Sequence, residues 1–129
     1  MSSMKIQVDL EAIAIATSPL ERTSILAFLA TANQSYTLTE LTEEVPKFVV
    51  NQGGAEHSIE LSTGKASWLI ATLIAAKLVE VNDKKYSATV VGRYVYTSII
   101  EDAYQNALRP EADPVLAKIA SQTSAEKRN

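Results

Sequence analysis

Ser62-Thr63-Gly64-Lys65 is the part of this 129-residue sequence whose residue types come nearest to a chemical site, the end of a phosphate-binding loop. Such a loop has an earlier glycine, five residues before the glycine of its Gly-Lys pair, and a hydroxyl residue after the lysine that holds magnesium. Ile59 and Ala66 occupy those two positions here. We therefore expect no ATP binding at this segment.

His57 is the second candidate, because it is the only histidine and lies beside Glu56 in a polar segment. Acid or base catalysis needs such a group within hydrogen-bond reach of a reacting partner, and no serine elbow motif accompanies it. One histidine is too few for a zinc cluster, and the sequence contains no cysteine. The sequence therefore predicts a surface role for His57 and a protein that is not an enzyme and holds no metal or cofactor.

Basic side chains are concentrated in the middle of the chain, although the formal net charge of the whole is −3. Residues 62–93 carry five basic and two acidic side chains, a net charge of +3. Residues 1–61 carry three basic against eight acidic side chains, and residues 94–129 carry four against five. The negative total disfavours nonspecific coating of nucleic acid, so an anionic partner is expected to contact residues 62–93.

The apolar segments are too short to predict a membrane protein. The longest apolar run, residues 66–76, is interrupted by Ser67 and Thr72 and is far below the roughly 20 residues that span a bilayer. Residues 1–10 lack the charged-then-apolar layout of a secretory signal. These patterns predict a cytoplasmic protein without a membrane partner.

The first third of the chain predicts two helices. Residues 10–17 fit either a helix or a strand, and we favour a helix. Ser18-Pro19 followed by Glu21 predicts a helix start capped by Ser18, because serine accepts from free amides, proline fits the first position and glutamate completes a capping box. The apolar residues of this second helix recur on one side; they are Leu20, Ile25, Phe28, Leu29 and Ala32.

A short extended segment and a short helix are predicted next. Tyr36-Thr37-Leu38 is predicted to be extended, and Thr39 can cap a helix over residues 40–45. Pro46 is placed to end that helix, since proline has no amide donor. Residues 46–61 show no sustained period and predict a loop with at most one short strand or helical turn.

Residues 62–88 have the clearest pattern of the chain. Ser62 or Thr63 can cap a helix with an inward apolar stripe. The stripe consists of Ala66, Leu69, Ile70, Leu73 and Ile74. Residues 78–81 and 86–88 then predict two strands of a hairpin, with Lys84 and Lys85 at its tip.

Thr89 can cap a last helix that extends to about Leu108 before Arg109-Pro110. Its apolar side is wider than one core requires, so we predict that it also packs against a second copy of the chain. The predicted dimer residues are Tyr94, Tyr96, Ile99, Ile100, Ala103 and Tyr104. The alternative is that these tyrosines cover the domain's own core. Residues 110–129 predict a tail that is a short helix or disordered.

The order of elements over residues 18–108 resembles the winged helix-turn-helix regulators, especially the MarR-like and PadR-like groups. The run LSTGKASWLIATLIAAKLVEV is similar to that family's recognition helix and exit strand, and KKYSATVVGRYVY is similar to its wing and next helix start, here Thr89-Val90-Val91-Gly92-Arg93. The resemblance implies a mainly α fold with a small β-hairpin wing (α+β). It places an extension at 1–17, a winged-helix domain at 18–88 and a long dimerisation helix at 89–109.

The resemblance also implies sequence-specific binding of double-stranded DNA by a homodimer that regulates transcription. Its third helix would enter the major groove and its wing would contact phosphates. The DNA-binding residues so implied are Ser62, Thr63, Lys65, Ser67, Trp68, Thr72, Lys84 and Lys85. The alternative function is a winged-helix protein–protein interaction module in a larger complex, because a fold alone does not decide its task.

Trp68 has three interpretations. It can contact thymine methyl groups or sugars, anchor a partner protein, or pack on the loop after Pro46. Packing is favoured, because large aromatic side chains seldom stay exposed.

Overall fold

The computed structural model describes residues 8–55 and 58–108. The fold is mainly helical with one small antiparallel sheet, which confirms the predicted α+β class. His57 and the predicted tail lie outside the described residues. The elements are α1 (Leu10–Thr17), α2 (Leu20–Thr31), β1 (Tyr36–Thr37), α3 (Leu38–Asn51), α4 (Thr63–Ala75), β2 (Val79–Asn82), β3 (Lys85–Ala88), α5 (Val90–Val95), a π-helical turn (Tyr96–Ile100) and α6 (Glu101–Leu108).

The corner between α1 and α2 differs from the predicted cap. α1 confirms the helix favoured for residues 10–17. Ser18 does not cap α2, because it is the extended residue after α1, and Pro19 takes the N-cap position without any side-chain bond to the free amides. The corner is held instead by Thr23, whose hydroxyl donates to the carbonyl of Ala16 at 2.7 Å.

α2 is the central helix of the core and packs against α1, α3, α4 and α5. Its apolar periodicity predicted one buried side, but burial extends further around the helix. The buried residues of α2 are Thr23, Ser24, Ile25, Leu26, Ala27, Leu29 and Ala30. Every other helix of the predicted winged-helix segment is therefore positioned by contact with α2.

α3 begins earlier than predicted, because Thr37 rather than Thr39 is its N-cap. The Thr37 hydroxyl accepts from the amide of Glu40 at 3.2 Å, and the Glu40 carboxylate accepts from the amide of Thr37 at 2.9 Å. This reciprocal pair is a complete capping box, which satisfies two amides at the helix start.

α3 also ends later than predicted, because Pro46 lies inside it and the helix reaches Asn51. The predicted loop was therefore wrong for residues 46–51. Leu41, Val45 and Val49 recur at four-residue spacing and are buried. Their burial against α2 and α4 outweighs the hydrogen bond that proline removes from a helix.

The three strands pair in the order β1-β3-β2. The predicted hairpin is confirmed as β2 and β3, with Asn82 opposite Lys85 in register. Its turn is Asp83-Lys84, and both residues have positive φ, 54° and 64°, as the twist of a two-residue hairpin turn requires. Only Lys84 therefore lies at the tip, and the prediction that placed Lys85 there was wrong, because Lys85 is the first residue of β3.

Helical backbone resumes after the hairpin where the sequence predicts it. The Thr89 hydroxyl accepts from the amide of Gly92 at 3.0 Å, which confirms Thr89 as the cap. Gly92 lies against the residue before β2, where an added Cβ would come within 2.0 Å of the carbonyl oxygen of Leu78. Only glycine allows this close approach of helix and strand.

The last helical stretch is not a uniform α-helix, because the π turn interrupts it. Tyr96, Ile100 and Tyr104 are buried at four-residue spacing. On the outer side Tyr94 and Ile99 are exposed and lie five residues apart across the π turn.

Within residues 8–55 and 58–108, no single helix has the length and apolarity needed to cross a membrane. Only α1 and α2 taken together reach that length, and they meet at a bend of 102°.

Candidate nucleic-acid interface

α4 presents one side to the core and the opposite side to solvent. Ser62 caps it by accepting from the amide of Lys65 at 3.1 Å, which agrees with one of the two predicted caps. Four members of the predicted apolar stripe are buried, and Ile74 is half-buried; the buried four are Ala66, Leu69, Ile70 and Leu73. The solvent side carries Thr63, Gly64, Ser67, Trp68, Ala71 and Ala75, and we call these six residues the α4 outer face.

Trp68 stands exposed on the α4 outer face, with 61% of its surface accessible. The favoured prediction that it packs on the loop after Pro46 was therefore wrong. Its neighbours one turn away along the helix are Gly64 and Lys65 on one side and Ala71 and Thr72 on the other. Gly64 and Ala71 are small, and the exposed ring is accessible to a partner.

Lys65 is exposed but not free of counter-charge, because its Nζ lies 2.5 Å from Oε2 of Glu21 in the first turn of α2. The hydrogen bond from Lys65 lowers the pKa of the Glu21 carboxyl below its usual value. Glu21 is therefore ionised at neutral pH and offsets the charge of Lys65. The Glu21 position, predicted as part of a cap, serves this ion pair instead.

Thr72 is half-buried and its hydroxyl is already engaged. It donates to the carbonyl of Leu69 at 2.6 Å and accepts from Nη1 of Arg22 at 3.0 Å. Arg22 was not among the residues predicted from the sequence. The available signal was its place in the first turn of a helix, where a cation is disfavoured by the helix dipole and needs local partners.

The two hairpin lysines have different surroundings. Lys84 is exposed in the turn, and Lys85 lies in β3 opposite Thr37 of β1. The hydrogen bonds from Thr37 lower the pKa of the Glu40 carboxyl, with a smaller contribution from the charge of Lys85. Neither lysine forms an ion pair with another residue in the described part of the chain. Lys84 is therefore the less compensated of the two charges.

The predicted dimer residues divide into two sets. Tyr96, Ile100 and Tyr104 are buried in the chain's own core, so they cannot belong to a contact surface, and this half of the prediction is corrected. The two tyrosine rings pack edge to face with centroids 6.0 Å apart. The set that remains accessible is Tyr94, Ile99 and Ala103.

Ala103 also lines a small groove of about 80 Å³ between the corner of α1 and α2 and the last helix. The other groove residues are Thr17, Leu20, Thr23, Ile100, Tyr104 and Ala107. The groove is mostly apolar, and it lies beside the exposed Ala103 of the last helix.

Comparison with protein-family models, with curated proteins and with solved structures found no match to this chain.

Proposed function

We propose that this chain is a winged helix-turn-helix protein that binds duplex DNA as a homodimer and regulates transcription. The element order from α2 to α5 supports the assignment, since a helix, a short strand, two helices, a hairpin and a further helix follow one another. The observation that carries the proposal is the α4 outer face, a solvent-exposed helix side held by α2 and α3 behind it.

The α4 outer face suits insertion into a major groove. Gly64, Ser67 and Ala71 are small, so the helix axis can approach the base edges closely. The hydroxyls of Thr63 and Ser67 can donate to or accept from base edges, and the Trp68 ring can contact thymine methyl groups. Specificity would come from these contacts.

The hairpin supplies a contact of another kind. Lys84 and Lys85 would lie against the phosphates beside the groove, where a cation adds affinity without reading sequence. Lys65 would leave Glu21 for a phosphate oxygen on binding.

Dimerisation doubles this contact. Tyr94, Ile99 and Ala103 form the exposed apolar row that a second copy would cover, and two linked half-sites turn weak contacts into a useful affinity.

Salt dependence of binding to a mixture of duplex fragments tests the proposal, with Lys84→Gln as the variant. Each phosphate contact releases about 0.9 counterion on average, so the variant is expected to lower the slope of log affinity against log salt by about 0.9 per protomer. Lys47→Gln is the matched control, because Lys47 is exposed on α3 and pairs with Glu44. A native chain without salt-dependent affinity, or equal slopes for both variants, would contradict the proposal.

A protein–protein interaction module is the second candidate, and the exposure of Trp68 favours it. An exposed tryptophan amid small residues is the kind of anchor that fills a pocket on a partner protein. The pairing of Lys65 with Glu21 also reduces the positive charge of this surface. The salt experiment separates the two functions, because a contact centred on Trp68 depends weakly on salt.

A further inference from the structure

Arg22 occupies a fixed position at the corner of α1 and α2. Its Nε donates to the carbonyl of Ile15 at 2.7 Å, its Nη1 donates to the hydroxyl of Thr72 at 3.0 Å, and its Nη2 donates to the carbonyl of Ser18. These bonds join three elements, because Ile15 belongs to α1 and Thr72 to α4. The guanidinium is therefore held in one orientation before any ligand arrives.

All three acceptors of Arg22 are neutral. No carboxylate pairs with it within residues 8–55 and 58–108, and the adjacent Glu21 is committed to Lys65. Burial lowers the pKa of Arg22, but a guanidinium stays ionised at any physiological pH. Because none of its partners carries a formal negative charge, the guanidinium can still form a charge-assisted hydrogen bond to an anion.

The remaining donors of Arg22 suit an oxyanion. A guanidinium has five N–H groups, and the three bonds above leave one on each terminal nitrogen. The residue is half-buried, and the bond from its Nη2 to Ser18 is exposed, so this end of the guanidinium reaches solvent. Two donors on a planar fork match two oxygens of one phosphate.

Arg22 also lies beside α4, the helix proposed to enter the major groove. Its partner Thr72 and the exposed Lys65 are two turns apart on one side of α4, which corresponds to about 10 Å of helix. Two cations, Arg22 and Lys65, thus line the α2 side of α4, with Glu21 as their only carboxylate among the described ion pairs.

We propose that Arg22 is a phosphate-binding residue, which with Lys65 holds the backbone of one DNA strand along the α2 side of α4. The ligand is a phosphodiester, and this inference rests on the proposed DNA binding. Arg22 fixes the register of α4 in the groove, whereas Lys84 holds the phosphates on the hairpin side.

Arg22→Gln tests the inference, with Arg22→Lys as the matched control that keeps the charge. In titrations with duplex fragments, Arg22→Gln is expected to lower the salt slope by about 0.9 per protomer, whereas Arg22→Lys keeps the slope. Both variants lose hydrogen bonds at the corner, so thermal unfolding must first show that they fold.

The native protein provides a readout that needs no variant. The NMR signal of the Arg22 Nε–H group is expected to shift when duplex is added at constant ionic strength, and to stay unchanged with chloride alone. The inference is overturned if a folded Arg22→Gln protein keeps the native salt slope, or if the Arg22 Nε–H signal does not shift when duplex is added. If Lys84→Gln still lowers the slope, the proposed function survives that failure; if the native chain binds no duplex, both are overturned.

Discussion

At the scale of single residues, a buried pair of hydroxyl groups joins the last helix to the central one. The Tyr104 hydroxyl donates to the Ser24 hydroxyl at 3.0 Å, and both residues are buried. Tyr104→Phe is expected to lower the free energy of unfolding by about 1 kcal/mol, since it leaves Ser24 without this partner. Tyr94→Phe, at an exposed tyrosine of the same helical stretch, should change it by less than about 0.5 kcal/mol. Urea unfolding measures both losses of stability, and equal losses would contradict a stabilising role for the Tyr104–Ser24 hydrogen bond.

The same tyrosine gives stability a pH dependence. Burial raises the pKa of Tyr104 to about 12, against about 10 in an unfolded chain. Between those values the folded state keeps the proton that the unfolded state loses, so stability is expected to fall by up to about 2 kcal/mol as pH rises from 10 to 12. Tyr104→Phe should remove that part of the decline, as urea unfolding at each pH would measure.

Single residues also mark where sequence reasoning succeeded and failed. The caps Ser62 and Thr89 were predictable, because a hydroxyl before an apolar period is a local signal. Trp68 and Arg22 were not, because exposure of a ring and the partners of a guanidinium depend on which elements pack beside them.

At the scale of elements, α3 gives the sharpest comparison between pattern and structure. Thr37→Ala is expected to cost about 1 kcal/mol of stability, because it removes the side-chain oxygen of the capping box. Thr39→Ala is the control, since Thr39 is exposed and lies inside the helix, so its loss should cost less than about 0.5 kcal/mol. Thermal unfolding of the two variants measures both losses of stability. A larger loss for Thr39→Ala than for Thr37→Ala would support Thr39 as the N-cap of α3, as predicted from the sequence.

The extension of α3 through Pro46 shows why element ends are harder to predict than elements. Proline usually ends a helix through a local effect, whereas the burial of Val49 is a tertiary effect that appears only when α2 and α4 are in place. The corner of α1 and α2 shows the same effect, because Glu21 forms an ion pair with Lys65 of α4 and the predicted cap by Ser18 is absent.

At the scale of the whole molecule, the proposed pairing of two copies would use the exposed residues Tyr94, Ile99 and Ala103 rather than the buried tyrosines. The sequence predicted one wide apolar side on the last helix, but Tyr96, Ile100 and Tyr104 pack in the core, whereas Tyr94, Ile99 and Ala103 are exposed. The apolar pattern could not separate these two sets, because which of them packs in the core depends on the elements that lie beside the helix.

Ile99→Asp is therefore expected to yield monomers in sedimentation, because it puts a charge in the apolar row. Val81→Asp is the matched control, since Val81 is exposed to a similar degree, 47% against 42% for Ile99, but lies on β2. If the mass of Ile99→Asp in sedimentation equals that of the native dimer, these exposed residues are not the proposed dimer contact.

The most direct test of DNA binding is to recover duplexes bound by the native protein from a random-sequence pool. We expect enrichment of an inverted repeat whose half-sites lie about one helical turn, roughly 10 base pairs, apart, because each copy would place its α4 in a major groove. A recovered pool without any shared sequence, or no retained duplex at low salt, would contradict the account.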